Sequence, residues 1–109
     1  MVDADYVGAD QSKGQTRHWL LNGATIANGA LSNASATAPG PYAGPGPAAG
    51  SGAHRYTILL YAQPDSFANP EGTPEGVTVI QLGDYVRSSN LGALIGVSHS
   101  FFCRETYRG

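Results

Sequence analysis

The sequence is poor in charged residues, in cysteine and in long apolar runs. Only 13% of its 109 residues are charged, about half the usual share, and the net charge is −2. It has no basic stripe, so nothing indicates nucleic acid as a partner. The single cysteine, Cys103, excludes an internal disulfide and is interpreted as a small apolar side chain on a strand. No run reaches the roughly 18 apolar residues of a membrane span.

Glycine and proline are abundant instead, with 15 and 7 residues, and many of them lie in loops between short apolar segments. The strongest predicted strand is Arg55 to Gln63, and its two largely apolar faces indicate a buried, central position. The sequence predicts one domain over residues 1–109, mainly β, with one or two short helices. The weaker predicted elements are strands at 18–22, 77–80 and 93–103 and a helix at 81–89.

Aspartate and histidine supply the first candidate site residues. Asp3 and Asp5 would share one face of an extended strand, where they could bind a cation or orient a histidine; the other interpretation is solvated turn residues. His18 and His54 each begin an apolar segment. Their imidazoles could donate to a phosphate, ligate a metal or serve only the structure. His99 has no supporting neighbours and is interpreted as structural.

The loop at 44–52 is the second candidate, because its glycines let a backbone approach a ligand and its turn can gather N–H groups around an anion. The alternative is an inert, proline-stiffened linker. No Gly-Lys-Ser/Thr follows, so a P-loop is excluded. No serine lies in a GxSxG motif and no Ser-His-Asp set is predicted, so an enzyme is not expected. The least favoured function is a hydrolase, whose metal-assisted form would use Asp3, His18 and His54 as ligands.

The segment GPGPAAGSGAHRYTILLY, residues 44–61, closely resembles the signature loop and strand of the phosphatidylethanolamine-binding protein family. That family includes Raf kinase inhibitor proteins, plant flowering regulators and a yeast carboxypeptidase inhibitor. Upstream, VDADYVG and RHWLLNG resemble its Asp-Pro-Asp-x-Pro segment and the histidine that leads an apolar strand, with Ala4 and Val7 in place of the prolines. Downstream, SSNLGALIGVSHSFF resembles its closing segment. The matching signature residues are Gly44, Pro47, Gly50, Gly52, His54, Arg55 and Tyr56.

The resemblance implies a large central antiparallel sheet, a smaller sheet and a few helices. Because family members usually carry further strands before the aspartate segment, the chain is expected to be an N-terminally truncated, C-terminal portion of the fold. The resemblance also implies a pocket for a phosphate head group or another small anion. No cofactor is expected, and no metal either, because no histidine pair has HxxxH spacing and only one cysteine is present. Asp3 could also receive an ammonium group. The implied pocket residues are Asp3, His18, Gly46, Pro47, His54 and Tyr56.

Three functions stay open at this point. The first is a module that binds an anionic ligand and regulates a kinase or protease. The second is an inhibitor of a serine protease or carboxypeptidase that acts through the surface segment 64–76 or the N-terminus. The third is a truncated relative without independent activity, whose strand at 56–62 would be incompletely covered and would favour a dimer. The expected compartment is cytoplasmic by default, or secreted if an upstream signal peptide has been lost.

Overall fold

The computed structural model describes residues 1–5, 11–38, 42–98 and 101–103. As predicted, the described part is mainly β, with antiparallel sheets and one short helix. A 3₁₀ turn covers Gln11–Lys13 and α1 covers Leu82–Ser88. In chain order the strands are β1 (Val2–Asp3), β2 (Gln15–Arg17), β3 (Thr25–Ala27), β4 (Ala30–Ser32), β5 (His54–Thr57), β6 (Leu59–Tyr61), β7 (Thr78–Ile80), β8 (Leu94–Val97) and β9 (Phe101–Cys103).

Five of these strands form one antiparallel sheet in the order β9-β5-β1-β2-β7. In the middle strand, Asp3 lies opposite Tyr56 on one side and opposite Thr16 on the other. Directly opposite residues of antiparallel strands project from the same face, so these three share a face. His54 precedes Tyr56 by two residues in β5, so the alternation along the strand brings it to that face. His18 follows directly after β2, and its ring contacts the ring of Tyr56.

The two remaining strand pairs, β3 with β4 and β6 with β8, form separate two-stranded sheets. The prediction of one continuous, buried strand over 55–63 is therefore wrong. The segment breaks at Ile58, whose N–H donates to the Ser98 hydroxyl (2.9 Å) and whose carbonyl accepts from the Ser98 N–H (2.9 Å). These two bonds end the pairing of β5 and direct β6 to a different sheet. Ile58 is 40% exposed, so the strand is not covered on both faces.

The shorter predicted elements have mixed outcomes. The strand at 77–80 and the helix at 81–89 are confirmed as β7 and α1. The region 93–103 forms two strands, β8 and β9, and Cys103 lies on the second, as expected. The predicted strand at 18–22 is wrong, because β2 ends at Arg17 and only Asn22 pairs, in an isolated bridge to Thr37. The apolar side chains between them line a cavity instead.

That cavity, of about 590 Å³, includes Val2 and Arg17, which alternate with Asp3 and Thr16 and so face away from the histidines. Trp19, Leu60 and Ile95 contribute to its largely apolar wall. None of the six predicted site residues lines it.

Within the described ranges, no helix is long and apolar enough to cross a membrane.

Candidate ligand-binding site

A buried contact between a carboxylate and an imidazole joins the end of β1 to the start of β5. The Oδ2 atom of Asp3 lies 2.7 Å from the Nδ1 atom of His54, and the two residues are only 2% and 5% exposed. The other carboxylate oxygen of Asp3 accepts the backbone N–H of Asp5 at 2.8 Å. With both oxygens engaged, the carboxylate is fixed in place, and it in turn fixes the orientation of the imidazole.

A second pair lies beside the first. The Oδ2 atom of Asp5 accepts the backbone N–H and the Nε–H of Arg55, and its Oδ1 accepts an Nη2–H, each at 2.8 Å. This bidentate ion pair holds the segment that follows Asp3 next to Arg55, the residue that follows His54. The two carboxylates therefore engage two different partners. Among the described residues, no group of histidine, cysteine or acidic side chains could hold a metal ion.

We predict that Asp5→Asn lowers the Tm at pH 7 and has a smaller effect at pH 3. The hydrogen bonds from Arg55, with its charge, hold the pKa of the Asp5 carboxyl below its ordinary value of 3.8. A carboxyl whose pKa is lower in the folded state stabilises the fold above its unfolded pKa and loses that contribution as the pH falls through the folded value. Thermal unfolding followed by circular dichroism at both pH values measures the difference.

The matched control is Asp84→Asn, which breaks the ion pair of Asp84 with Arg87 on the exposed face of α1. Exposed pairs contribute little, so this control should change the Tm less at pH 7. An Asp5→Asn deficit of the same size at both pH values would contradict the assigned role of the carboxylate charge.

His18 is held where β2 leads into the following loop. Its backbone carbonyl accepts the N–H of Ala43 at 3.2 Å, and its ring Nδ1 lies 3.3 Å from the Ala43 carbonyl. Its ring also meets the ring of Tyr56 edge-on, with centroids 5.3 Å apart. Tyr56 is 1% exposed and two residues from His54. The buried tyrosine therefore connects β5, which carries both Tyr56 and His54, to His18 at the end of β2.

Side-chain contacts hold the glycine- and proline-rich loop near both of its ends, so it is not a free linker. At its start, Tyr42 packs edge-on against Trp19 with ring centroids 5.6 Å apart. At its end, the Oγ atom of Ser51 lies 2.9 Å from the Nε2 atom of His54. Gly50 and Gly52, on either side of this serine, have φ angles of 76° and 82°, a left-handed conformation that strongly favours glycine.

The middle of the loop carries the two remaining predicted site residues. Gly46 is exposed, and a Cβ atom built on it would meet no atom within 4 Å, so its backbone borders open space. Pro47 is half-buried next to it. The structure thus joins Asp3 to His54 and His18 to Tyr56, and it places Gly46 and Pro47 in the loop that links the two histidines along the chain.

Sequence reasoning missed Ser51, which the fold brings to the far nitrogen of His54. The available signal was its position three residues before the histidine, between two glycines. His99 lies outside the described residues. Cys103 lies opposite His54 in the pairing of β9 with β5.

Comparison with known proteins agrees with the resemblance seen in the motifs. Residues 1–98 match the sequence model of a family described as phosphatidylethanolamine-binding protein. Searches among curated proteins and among solved structures return no match. The family match covers most of the chain, including β1, the loop and β5, which carry the site just described. The chain therefore belongs to the phosphatidylethanolamine-binding protein family.

Proposed function

We propose that the chain binds a phosphate-bearing or other small anionic ligand, of the phospholipid head-group type, between its two histidines and the loop. The observation that carries this proposal is the buried 2.7 Å contact between Asp3 and His54, on the sheet face that also holds His18. The Asp3 carboxylate holds the ring so that its other nitrogen, Nε2, lies toward the loop, 2.9 Å from Ser51 Oγ. When that nitrogen carries a proton, it can donate to an anion. Charge-assisted donors of this kind suit phosphate oxygens.

The loop supports the same ligand class. Open space above Gly46 leaves room for a ligand to approach the backbone, and N–H groups gathered in a turn attract anions. Asp3, by contrast, is buried and both its oxygens already accept hydrogen bonds. Only the anionic part of a head group is therefore expected to bind at this site, and Asp3 is not expected to bind an ammonium group.

The test is isothermal titration calorimetry with inorganic phosphate and with phosphorylethanolamine at pH 6.5. We expect His54→Gln and His18→Gln each to weaken binding about 10- to 150-fold, the equivalent of one lost charge-assisted hydrogen bond of about 1.5–3 kcal/mol. Arg87→Gln is the control, because it removes one exposed positive charge from α1 and tests for unspecific attraction. Unchanged affinity in both histidine variants, with circular dichroism showing intact folds, would refute the proposal.

Regulation of a protease through a surface contact is the second candidate. The segment 64–76 is mostly exposed, yet it is ordered by two turns, in which Phe67 N–H donates to the Pro64 carbonyl (2.9 Å) and Thr73 N–H to the Pro70 carbonyl (3.0 Å). Ordered, exposed segments suit a protein-binding role. Inhibition of a serine protease or carboxypeptidase that persists in both histidine variants would favour this contact over the ligand site.

A further inference from the structure

Asp3, His54 and Ser51 form one continuous chain of hydrogen-bonding atoms. Asp3 Oδ2 lies 2.7 Å from His54 Nδ1, and His54 Nε2 lies 2.9 Å from Ser51 Oγ. We infer that Ser51 is an activated nucleophile, with His54 as its general base and Asp3 as the residue that orients the base. The substrate class is small activated carboxylic esters. This inference goes beyond the proposed binding function, although it uses the same histidine.

The positions of the protons in this series of hydrogen bonds follow from the contacts. The Asp3 carboxylate accepts the Nδ1–H of His54, which leaves Nε2 of a neutral imidazole as an acceptor. The Ser51 hydroxyl has one proton and two acceptors within reach, Nε2 and the Ala48 carbonyl at 2.6 Å. That carbonyl already accepts the Ser51 backbone N–H at 3.0 Å. The hydroxyl can therefore turn to Nε2 without leaving a carbonyl unpaired, which is the arrangement that activates a serine.

Access to the site fits the same role. Ser51 is exposed, whereas its base and the carboxylate behind it are buried. Gly50 and Gly52 have no side chains, and a Cβ atom built on either would meet no atom within 4 Å. A small ester, and the water that later hydrolyses the acyl intermediate, can therefore approach the serine from open space.

The reaction follows from these positions. Ser51 Oγ attacks the carbonyl carbon of the ester as its proton moves to His54 Nε2. The bond from that carbon to the leaving oxygen then breaks, the alcohol departs with the proton from Nε2, and Ser51 is left as an O-acyl ester. Water attacks this ester with His54 again as the base, and the acid and the free serine are released. With a fluorophosphonate, the same oxygen bonds to phosphorus and fluoride leaves.

The experiment exposes the full chain to a fluorophosphonate probe and follows the adduct by intact mass and peptide mapping. We expect one adduct, on Ser51, and a burst of p-nitrophenol from p-nitrophenyl acetate. Ser51→Ala should abolish both signals, and His54→Gln should slow them about 10²- to 10⁴-fold. Ser35→Ala changes an exposed turn that precedes the glycine-rich loop in the sequence, so it should leave both signals unchanged.

If His54→Gln fails to fold, Ser51→Cys gives an independent test that leaves His54 and Asp3 in place. Its thiol should react with iodoacetamide at least 10-fold faster than that of the matched Ser35→Cys variant, because His54 accepts its proton. Equal thiol rates, or a folded wild-type chain without an adduct on Ser51, would overturn the inference. Phosphate binding without labelling of Ser51 would support the binding proposal and refute the nucleophilic role of Ser51. Labelling of Ser51 without phosphate binding would support the nucleophilic role and refute the binding proposal.

Discussion

Asp3→Ala is expected to lower the free energy of unfolding by about 2–6 kcal/mol, because two hydrogen-bond donors lose their acceptor, at a cost of about 1–3 kcal/mol each. The substitution leaves Nδ1 of His54 without its acceptor in a position that is 5% exposed. It also removes the acceptor of the Asp5 N–H. Domains of this size are stabilised by about 5–15 kcal/mol in all, so the loss is a large fraction of the total. Urea unfolding followed by circular dichroism measures it.

Making Asp3→Ala in a His54→Phe background distinguishes the loss of the Asp3–His54 contact from a general effect on packing. With no buried ring nitrogen to satisfy, Asp3→Ala should cost clearly less there than in the wild-type chain. Asp3→Asn, which keeps an acceptor for the Asp5 N–H, should lie between the wild type and Asp3→Ala. Equal costs in the two backgrounds would show that the contact with His54 does not carry the stability.

The predicted site residues came from the resemblance to the family, because most of the motif that carries them is local. His54, Arg55 and Tyr56 follow directly on the glycine-rich loop, so this part of the motif can be read from neighbouring residues. The predicted shared strand face of Asp3 and Asp5 is wrong, because β1 ends at Asp3 and Asp5 lies beyond it. The periodicity could not show which partner each carboxylate takes. The contact of Asp3 with His54 spans 51 residues and depends on the pairing of β1 with β5.

The errors at 55–63 and 18–22 have a common physical cause. Apolar composition indicates that a segment is buried, but it does not determine which sheet the segment joins. The break at Ile58 is made by Ser98, which is 40 residues away. The apolar residues after His18 line a cavity wall rather than pair in a strand. Ser51 was missed because it stands between two signature glycines and is not itself a signature residue; the left-handed conformation of these glycines accompanies its contact with His54.

Gly14→Ala should lower the free energy of unfolding by about 2–5 kcal/mol, because two penalties add at this position. Gly14 has a φ of 98°, where a side chain is strained. A Cβ atom there would also lie 2.5 Å from the backbone oxygen of Ile80, so β7 would have to shift away from β2. Gly29→Ala is the matched control. Its φ is 76°, no atom lies within 4 Å, and only the conformational cost of about 1–2 kcal/mol remains. Equal losses in urea unfolding would refute the close approach of β7 to Gly14.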